Sequence, residues 1–228
     1  MFQGFDDTTV DFMWGIRFNN DRTWFAEHKQ EYLDHFQTPM RELQREVYDH
    51  IAPQLEDYGL IGKTSRIYRD ARRLFGRGPY KDHLWLSVER PKEETRETPC
   101  FWFELAPEGW SYGMGFWQAT PMTMAKLRAR IRRDPKPMEK LTRGLNGQAE
   151  FVLAGQEYKR PRPGAPSDLT EPWFRKKSFA ITHDEPLADA LFSREIVDRL
   201  KAGYDFLIPY YRYFVTLEGD PVPEEMKK

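Results

Sequence analysis

The spacing of apolar residues changes period twice along this chain, and that restricts the fold more than any other feature. At the N-terminal end Phe12 and Ile16, with neighbours Met13 and Trp14, predict a short helix that turns all four inward, capped by Thr8 or Thr9. Asn19 is expected to end it and Asn20 to cap the next, in which Trp24, Phe25, His28, Tyr32 and Phe36 recur at helical spacing. Thr38-Pro39 restarts a helix with Met40, Leu43, Val47, Ile51 and Leu55 inward. The period then becomes two. Leu84, Leu86 and Val88 alternate with more polar neighbours, as do Phe101, Phe103 and Leu105, and after the turn Pro107-Glu108-Gly109 so do Trp110, Tyr112, Met114 and Phe116. Helical spacing returns with Met124, Leu127 and Ile131, then with Met138, Leu141 and Leu145. Short strands follow near Phe151–Leu153 and Phe179–Ile181, and the last helix runs from about Ser193 with Ile196, Leu200, Tyr204, Leu207 and Tyr211 on one face. Helices, then strands, then helices favour an α+β fold, an antiparallel sheet with helices packed on it, over a doubly wound sheet. No linker divides the chain, so one domain is expected over residues 1–218, with residues 219–228 a flexible tail.

Composition narrows the function classes. The 34 aromatic residues outnumber Val and Ile more than twofold, so large rings should fill the interior. No apolar run approaches the roughly 18 residues of a membrane span, and the opening Met-Phe-Gln-Gly-Phe-Asp-Asp lacks the basic and apolar regions of a signal peptide. No membrane association and a cytoplasmic location are therefore expected. A single cysteine, Cys100, reads as a small strand residue rather than a nucleophile. The five histidines show no zinc-protease spacing, and neither a dinucleotide fingerprint nor a nucleophile elbow is present, so no metal and no cofactor are expected.

The formal net charge of −1 conceals a segregation: residues 1–58 carry −7, residues 63–183 carry +10 and residues 184–228 carry −4. Such asymmetry suits an anionic ligand or nucleic acid, or else acidic helices folded onto a basic middle. Between Lys63 and Lys81 stand seven bases and one acid. If the segment starts extended, Arg66, Tyr68 and Asp70 share a face; if helical, Arg69 and Arg72 do. In either case guanidinium forks suited to carboxylate or phosphate converge, and Asp70 is the candidate to orient one of them or to act as an acid or base. The candidate ligand-binding residues are Arg66, Arg69, Arg72, Tyr80 and Lys81, supported by Asn20 and Trp24. The turn at Gly76, Gly78 and Pro79 offers amides to the same anion, though Walker spacing is missing. On the later basic helix, Lys126, Arg130 and Arg133 read as a solvated face, with Arg128 the one base expected to point inward. Lys177, in Arg175-Lys176-Lys177 beside Trp173, is a candidate rim for an anion. Trp24, Trp85, Trp102 and Trp117 read mostly as core, with stacking on a base or sugar as the other possibility.

The joint spacing of Asn19-Asn20-x-x-x-Trp24-Phe25, Arg66-x-Tyr68-Arg69-Asp70-x-Arg72 and Pro79-Tyr80-Lys81 resembles a family of bacterial and fungal conserved hypothetical proteins, catalogued as domain of unknown function twenty-four sixty-one. Gly113-x-Gly115-x-Trp117 with Pro121, Leu127-Arg128-x-x-Ile131, Tyr158-Lys159-Arg160-Pro161 and Pro172-Trp173-Phe174-Arg175-Lys176-Lys177-Ser178-Phe179 extend the resemblance over about residues 2 to 215. Arg73, Leu74, Gly76 and Arg77 depart from the family pattern, which has Phe, Ser, Asp and Lys there. The resemblance implies a shared fold and an unassigned activity; it implies no reaction and no catalytic residue. On the residues themselves, a site for a phosphate- or carboxylate-bearing small molecule is the first functional expectation. A nucleic-acid-binding module using the basic middle and a protein-interaction adaptor are the alternatives. Oligomeric state and reaction are not legible.

Overall fold

A computed structural model describes residues 1–74, 76–91, 98–160 and 162–227, with backbone alone at Arg73. Six strands form one open antiparallel sheet: β1 (Ile61–Thr64), β2 (Leu84–Glu89), β3 (Cys100–Ala106), β4 (Gly109–Gly115), β5 (Val152–Ala154) and β6 (Ala180–Pro186). Their spatial order is β1-β2-β3-β4-β6-β5. Together with the surrounding helices this is the expected α+β architecture. The alternation is realised residue by residue. Leu84, Leu86, Val88, Phe101, Phe103, Leu105, Trp110, Tyr112 and Met114 are all buried. Among the described residues no helix is long and apolar enough to cross a membrane.

Contacts group the chain into two compact units, each discontinuous in sequence. The first comprises Met1–Glu89, Trp102–Tyr112 and Asp184–Ala202. Its helices are α1 (Asp7–Phe18), α2 (Arg22–Glu27), the single turn α3 (Lys29–Glu31) running into a π-helical turn at Tyr32–Gln37, and α4 (Thr38–Ile51). The caps fall beside the expected positions. Asp6, not Thr8 or Thr9, opens α1, its carboxylate accepting from the Thr9 amide at 2.9 Å while the Thr9 hydroxyl donates back to Asp6 and bonds the Asp6 amide. Asp21, not Asn20, caps α2. Trp14 is a further correction: Met13 is buried, whereas Trp14 is 36% exposed and stacks on Phe18 at 5.8 Å. In α4 the predicted stripe Met40, Leu43, Val47 and Ile51 is fully buried.

The second unit comprises Arg90–Phe101, Gly113–His183 and Gly203–Lys228. It contains α5 (Pro121–Arg133), α6 (Lys136–Asn146), α7 (Glu171–Arg175) and the larger part of α8 (Glu195–Val215). Pro121 sits in the first turn of α5, where its missing N–H leaves no bond unmade, and Thr120 caps the helix. The core is aromatic, as the composition implies. Phe101 stacks on Tyr211 at 4.9 Å, and Trp173, Phe179 and Phe214 pack mutually at 4.7–5.5 Å.

Of the face Lys126, Arg130 and Arg133, Arg133 is exposed as expected, but Arg130 is not solvated. Lys126 donates to the Glu218 carbonyl at 2.6 Å, and Arg130 Nε donates to Asp220 at 2.6 Å with both side chains largely buried. Arg130 also donates to the Tyr213 carbonyl, and Arg133 stands 3.9 Å from Asp220. These bases latch the acidic C-terminal segment, so Asp220, in the stretch expected to fray, is held in place. The helical period marked this face as polar but carries no information about an acid ninety residues away.

Candidate anion-binding site

The basic segment enters extended. Lys81 N donates to the Ile67 carbonyl at 2.7 Å and Arg69 N to the Pro79 carbonyl at 2.8 Å, so Tyr68 faces Tyr80 with the rings 5.3 Å apart. This antiparallel rung puts Arg69 and Lys81, 12 residues apart in sequence, on the face opposite Tyr68 and Tyr80, with Arg66 near enough for its field to act on Lys81. The segment then turns at Ala71–Arg73, which removes any helical face shared by Arg69 and Arg72.

The turn is held by Asn20. Its side-chain oxygen accepts from the Tyr80 amide at 2.9 Å and its Nδ2 donates to the Tyr80 carbonyl at 3.0 Å. Arg69 Nε donates to the same carbonyl at 2.6 Å. Gly78 is required by this clamp, since a Cβ there would lie 2.2 Å from Asn20 Oδ1. Asn20 therefore supports the site through the backbone and not as a ligand contact. Tyr80 is buried, 4.3 Å from the Phe25 ring, and burial pushes its hydroxyl pKa up. Trp24 packs on His28 at 3.9 Å and fits against Gly15, where a Cβ would lie 2.6 Å from the indole. Both rings belong to the packing of the first unit.

Asp70 is exposed. Its carboxylate accepts from Arg72 Nε at 3.0 Å and Nη2 at 2.8 Å, and from the Arg72 amide at 3.0 Å. That arrangement fits the orienting role. Arg72 is turned outward, its side chain 87% exposed.

Lys81 is different. Burial, then the positive fields of Arg69 and Arg66, pull its pKa down to about 8, opposed weakly by Glu104. Among the described residues neither Lys81 nor Arg66 forms an ion pair, and the Lys81 ammonium lies 5.8 Å from the Trp85 ring. Arg69 has only a long approach to Asp82, 3.7 Å. Asp82 itself is held well below the usual carboxylate range by His83 and by Arg17, whose Nε lies 2.5 Å away. Sequence reasoning missed this Arg17–Asp82 link because 65 residues separate its members.

A groove of about 390 Å³ lies elsewhere in the same unit, lined by Glu104, Glu108, Trp110, Asp184 and Glu185 among others. Its lining is acidic, and Glu108 is tied to Arg17 and Glu185 to Arg199. It contains none of the predicted arginines; only Glu104 relates it to Lys81.

Arg128 and Lys177 belong to the second unit. Arg128 is buried, 4% exposed, and Lys177 is exposed. They meet not at Arg66 or Lys81 but around Tyr158, a ring the site reasoning passed over although Tyr158-Lys159-Arg160-Pro161 was legible as a motif; Pro161 itself lies outside the described residues. Trp117, in the Gly113-x-Gly115-x-Trp117 motif, is 86% exposed, unlike the other tryptophans weighed as core.

A family model described as "Conserved hypothetical protein (DUF2461)" matches residues 8–213. The chain belongs to this family. The DUF2461 match spans both basic clusters and the Asn20 clamp, and the description assigns no reaction to any of them. No curated protein matches the chain.

Proposed function

We propose that this DUF2461 protein binds a small molecule through an anionic group, phosphate or carboxylate, at Arg66, Arg69 and Lys81. One observation supports the reading: Arg69 and half-buried Lys81 share one face of an antiparallel rung, within the field of exposed Arg66, while Lys81 lacks an acid partner among the described residues. A half-buried charge without a partner, as at Lys81, is unfavourable unless a ligand completes it, and perturbed lysines concentrate at functional sites. Asp70, bonded to Arg72, is the group placed to orient that arginine.

The nucleic-acid alternative has less behind it. Lys126, Arg130 and Arg132 in the basic middle are engaged by the Glu218 carbonyl, Asp220 and Glu225 or by other backbone carbonyls, so these three do not add to a free basic face. The adaptor reading has no specific contact in its favour.

Calorimetric titration with inorganic phosphate and with acetate at pH 8, in buffers of different ionisation enthalpy, tests the site. An anion raises the Lys81 pKa, so binding should take up a fraction of a proton, and Lys81→Met should remove the uptake. Absence of saturable binding by every anion tried would overturn the reading.

Lys81→Met should also stabilise the free protein. Because the folded pKa lies below the ordinary value of 10.5, the cost of charging Lys81 is present in full below pH 8, falls between pH 8 and 10.5, and is gone above that range. After discounting for its partial exposure, the gain at pH 7 is roughly 1–2 kcal/mol. Urea unfolding at pH 7 and pH 10.5 measures it; equal effects at both pH values would contradict the proposed cause.

A further inference from the structure

Around Tyr158 the second unit builds another basic cluster by a different route. Tyr158 N donates to the Arg175 carbonyl at 2.8 Å and Lys177 N to the Gln156 carbonyl at 2.7 Å, a two-stranded rung centred on Glu157 and Lys176. Alternation puts Glu157 and Lys176 on one side, where they pair at 2.9 Å, and Tyr158 and Lys177 on the other. The Lys177 ammonium stands 5.7 Å from the Tyr158 ring. Arg132 then fixes the next loop to α5: its Nη2 donates to the Pro163 carbonyl at 2.9 Å, its Nε to the Gly164 carbonyl at 3.3 Å, and its guanidinium rests 5.2 Å from the Phe174 ring. Gly164, at φ +87°, lets the chain turn there. This anchoring sets Arg162 over Tyr158 at 4.5 Å, while Arg128, one turn before Arg132 on α5, approaches the same ring at 5.9 Å.

Three cations thus converge on one ring, and the innermost is not satisfied. Arg128 is 96% buried by its 4% exposure, and its Nη1 is sealed from solvent with no hydrogen-bond partner among the described residues. Arg162 and Lys177 are exposed and form no ion pair among the described residues. The acids facing the cluster are few. The effect of burial on Arg128 is opposed first by the Tyr158 hydroxyl, which also hydrogen-bonds Arg128, and then by Glu225, on the C-terminal turn and 3.8 Å from Arg132; Glu157 is occupied by Lys176 on the opposite side. One partly engaged carboxylate faces Arg128, Arg162 and Lys177, leaving a surplus of about two positive charges.

We infer that Arg128, Arg162, Lys177 and Tyr158 form a second anion-binding site that takes a phosphate dianion, free or as a small phosphate monoester. The charge surplus matches a dianion better than a single carboxylate, and guanidinium forks present paired N–H donors to phosphate oxygens. Arg128 is the floor, Arg162 and Lys177 are the rim, and Tyr158 is the wall that spaces them. The rim side chains change rotamer as the ligand enters, an ordinary adjustment on binding, and bring a phosphate oxygen to the sealed Nη1.

The site is independent of the Lys81 cluster, so its test is run in Lys81→Met protein, where phosphate uptake by the first site is removed. Titration with inorganic phosphate and with glycerol 3-phosphate should give saturable, salt-sensitive binding; tighter binding of the ester identifies a phosphorylated metabolite, and equal or weaker binding identifies free phosphate. Arg162→Ala and Lys177→Ala, both at exposed positions, should each weaken binding about threefold to tenfold. Arg128→Met should lose at least tenfold while raising Tm, because it removes an unpaired buried charge. If the Lys81→Met protein binds neither probe, or if the Arg162→Ala/Lys177→Ala double variant binds as tightly as its parent, the inference fails. Failure of binding at both clusters in the unmutated protein, by contrast, would remove the two readings together.

Discussion

Trp173→Ala is expected to lower the unfolding free energy by about 3–5 kcal/mol, the range for deleting a fully buried aromatic side chain. Trp173 is 0% exposed and packs against Phe179 at 5.1 Å and Phe214 at 5.5 Å. Its indole N–H also donates to the Thr142 hydroxyl at 2.9 Å, and that hydroxyl donates on to the Met138 carbonyl at 2.9 Å. The substitution therefore opens a cavity and leaves a buried hydroxyl without its donor. Trp173→Phe separates the two effects: it keeps most of the volume and should cost about 1–3 kcal/mol, chiefly for the lost hydrogen bond. Chemical unfolding of the two variants measures the difference; a Phe variant as unstable as the Ala variant would show that ring volume is not the main contribution.

Gly78→Ala should lose about 2–4 kcal/mol, through a different mechanism. The new Cβ would fall 2.2 Å from Asn20 Oδ1, 2.4 Å from its Cγ and 2.5 Å from its Cβ, so the two segments must shift apart and both bonds to Tyr80 are released. Asn20→Ala alone should cost about 1–3 kcal/mol. Because all three atoms the new Cβ meets belong to the Asn20 side chain, its Cβ included, Asn20→Gly removes the clash where Asn20→Ala does not; the losses from Gly78→Ala and Asn20→Gly must be strongly non-additive, and Gly78→Ala should cost far less in Asn20→Gly protein than in the parent. A double-mutant cycle in urea reads this directly, and simple addition would refute the clamp. The functional consequence follows from position. Lys81 is the next residue after the clamped Tyr80, so phosphate binding at the first cluster should weaken in either single variant.

Legibility in the sequence followed the range of each interaction. The stripes on α4 and α8 and the alternation in β2, β3 and β4 were read correctly because burial on one face repeats every few residues. The caps of α1 and α2 were misplaced by a residue or two, since Asp6, Thr8, Thr9, Asn20 and Asp21 are all competent caps and the choice depends on where the chain enters. Trp14 was assigned inward from hydrophobicity alone, but it lies off the buried Phe12 and Ile16 stripe and finds Phe18 at the surface.

The candidate sites divide in the same way. That Arg66, Arg69, Arg72 and Lys81 are dense in one stretch is a property of the sequence, and so is the burial expected of Arg128 at the Leu127-Arg128-x-x-Ile131 motif. Which of these bases already has an acid is not. Arg72 closes on Asp70 two residues away, Arg130 on Asp220 ninety residues away, and Lys81 on none among the described residues. Tyr158 and Arg162 were missed because their importance comes from Arg128, about thirty residues earlier, and from Arg132 holding the loop between them.

The sequence by itself determined the α+β class, the strands and main helices, the aromatic core and family membership, because each rests on spacing between near neighbours or on motif residues in order. Only the tertiary structure decided which positive charges meet an acid and which do not among the described residues. Charge pairing depends on distance in space and on local desolvation, and neither quantity is written in the order of residues along the chain.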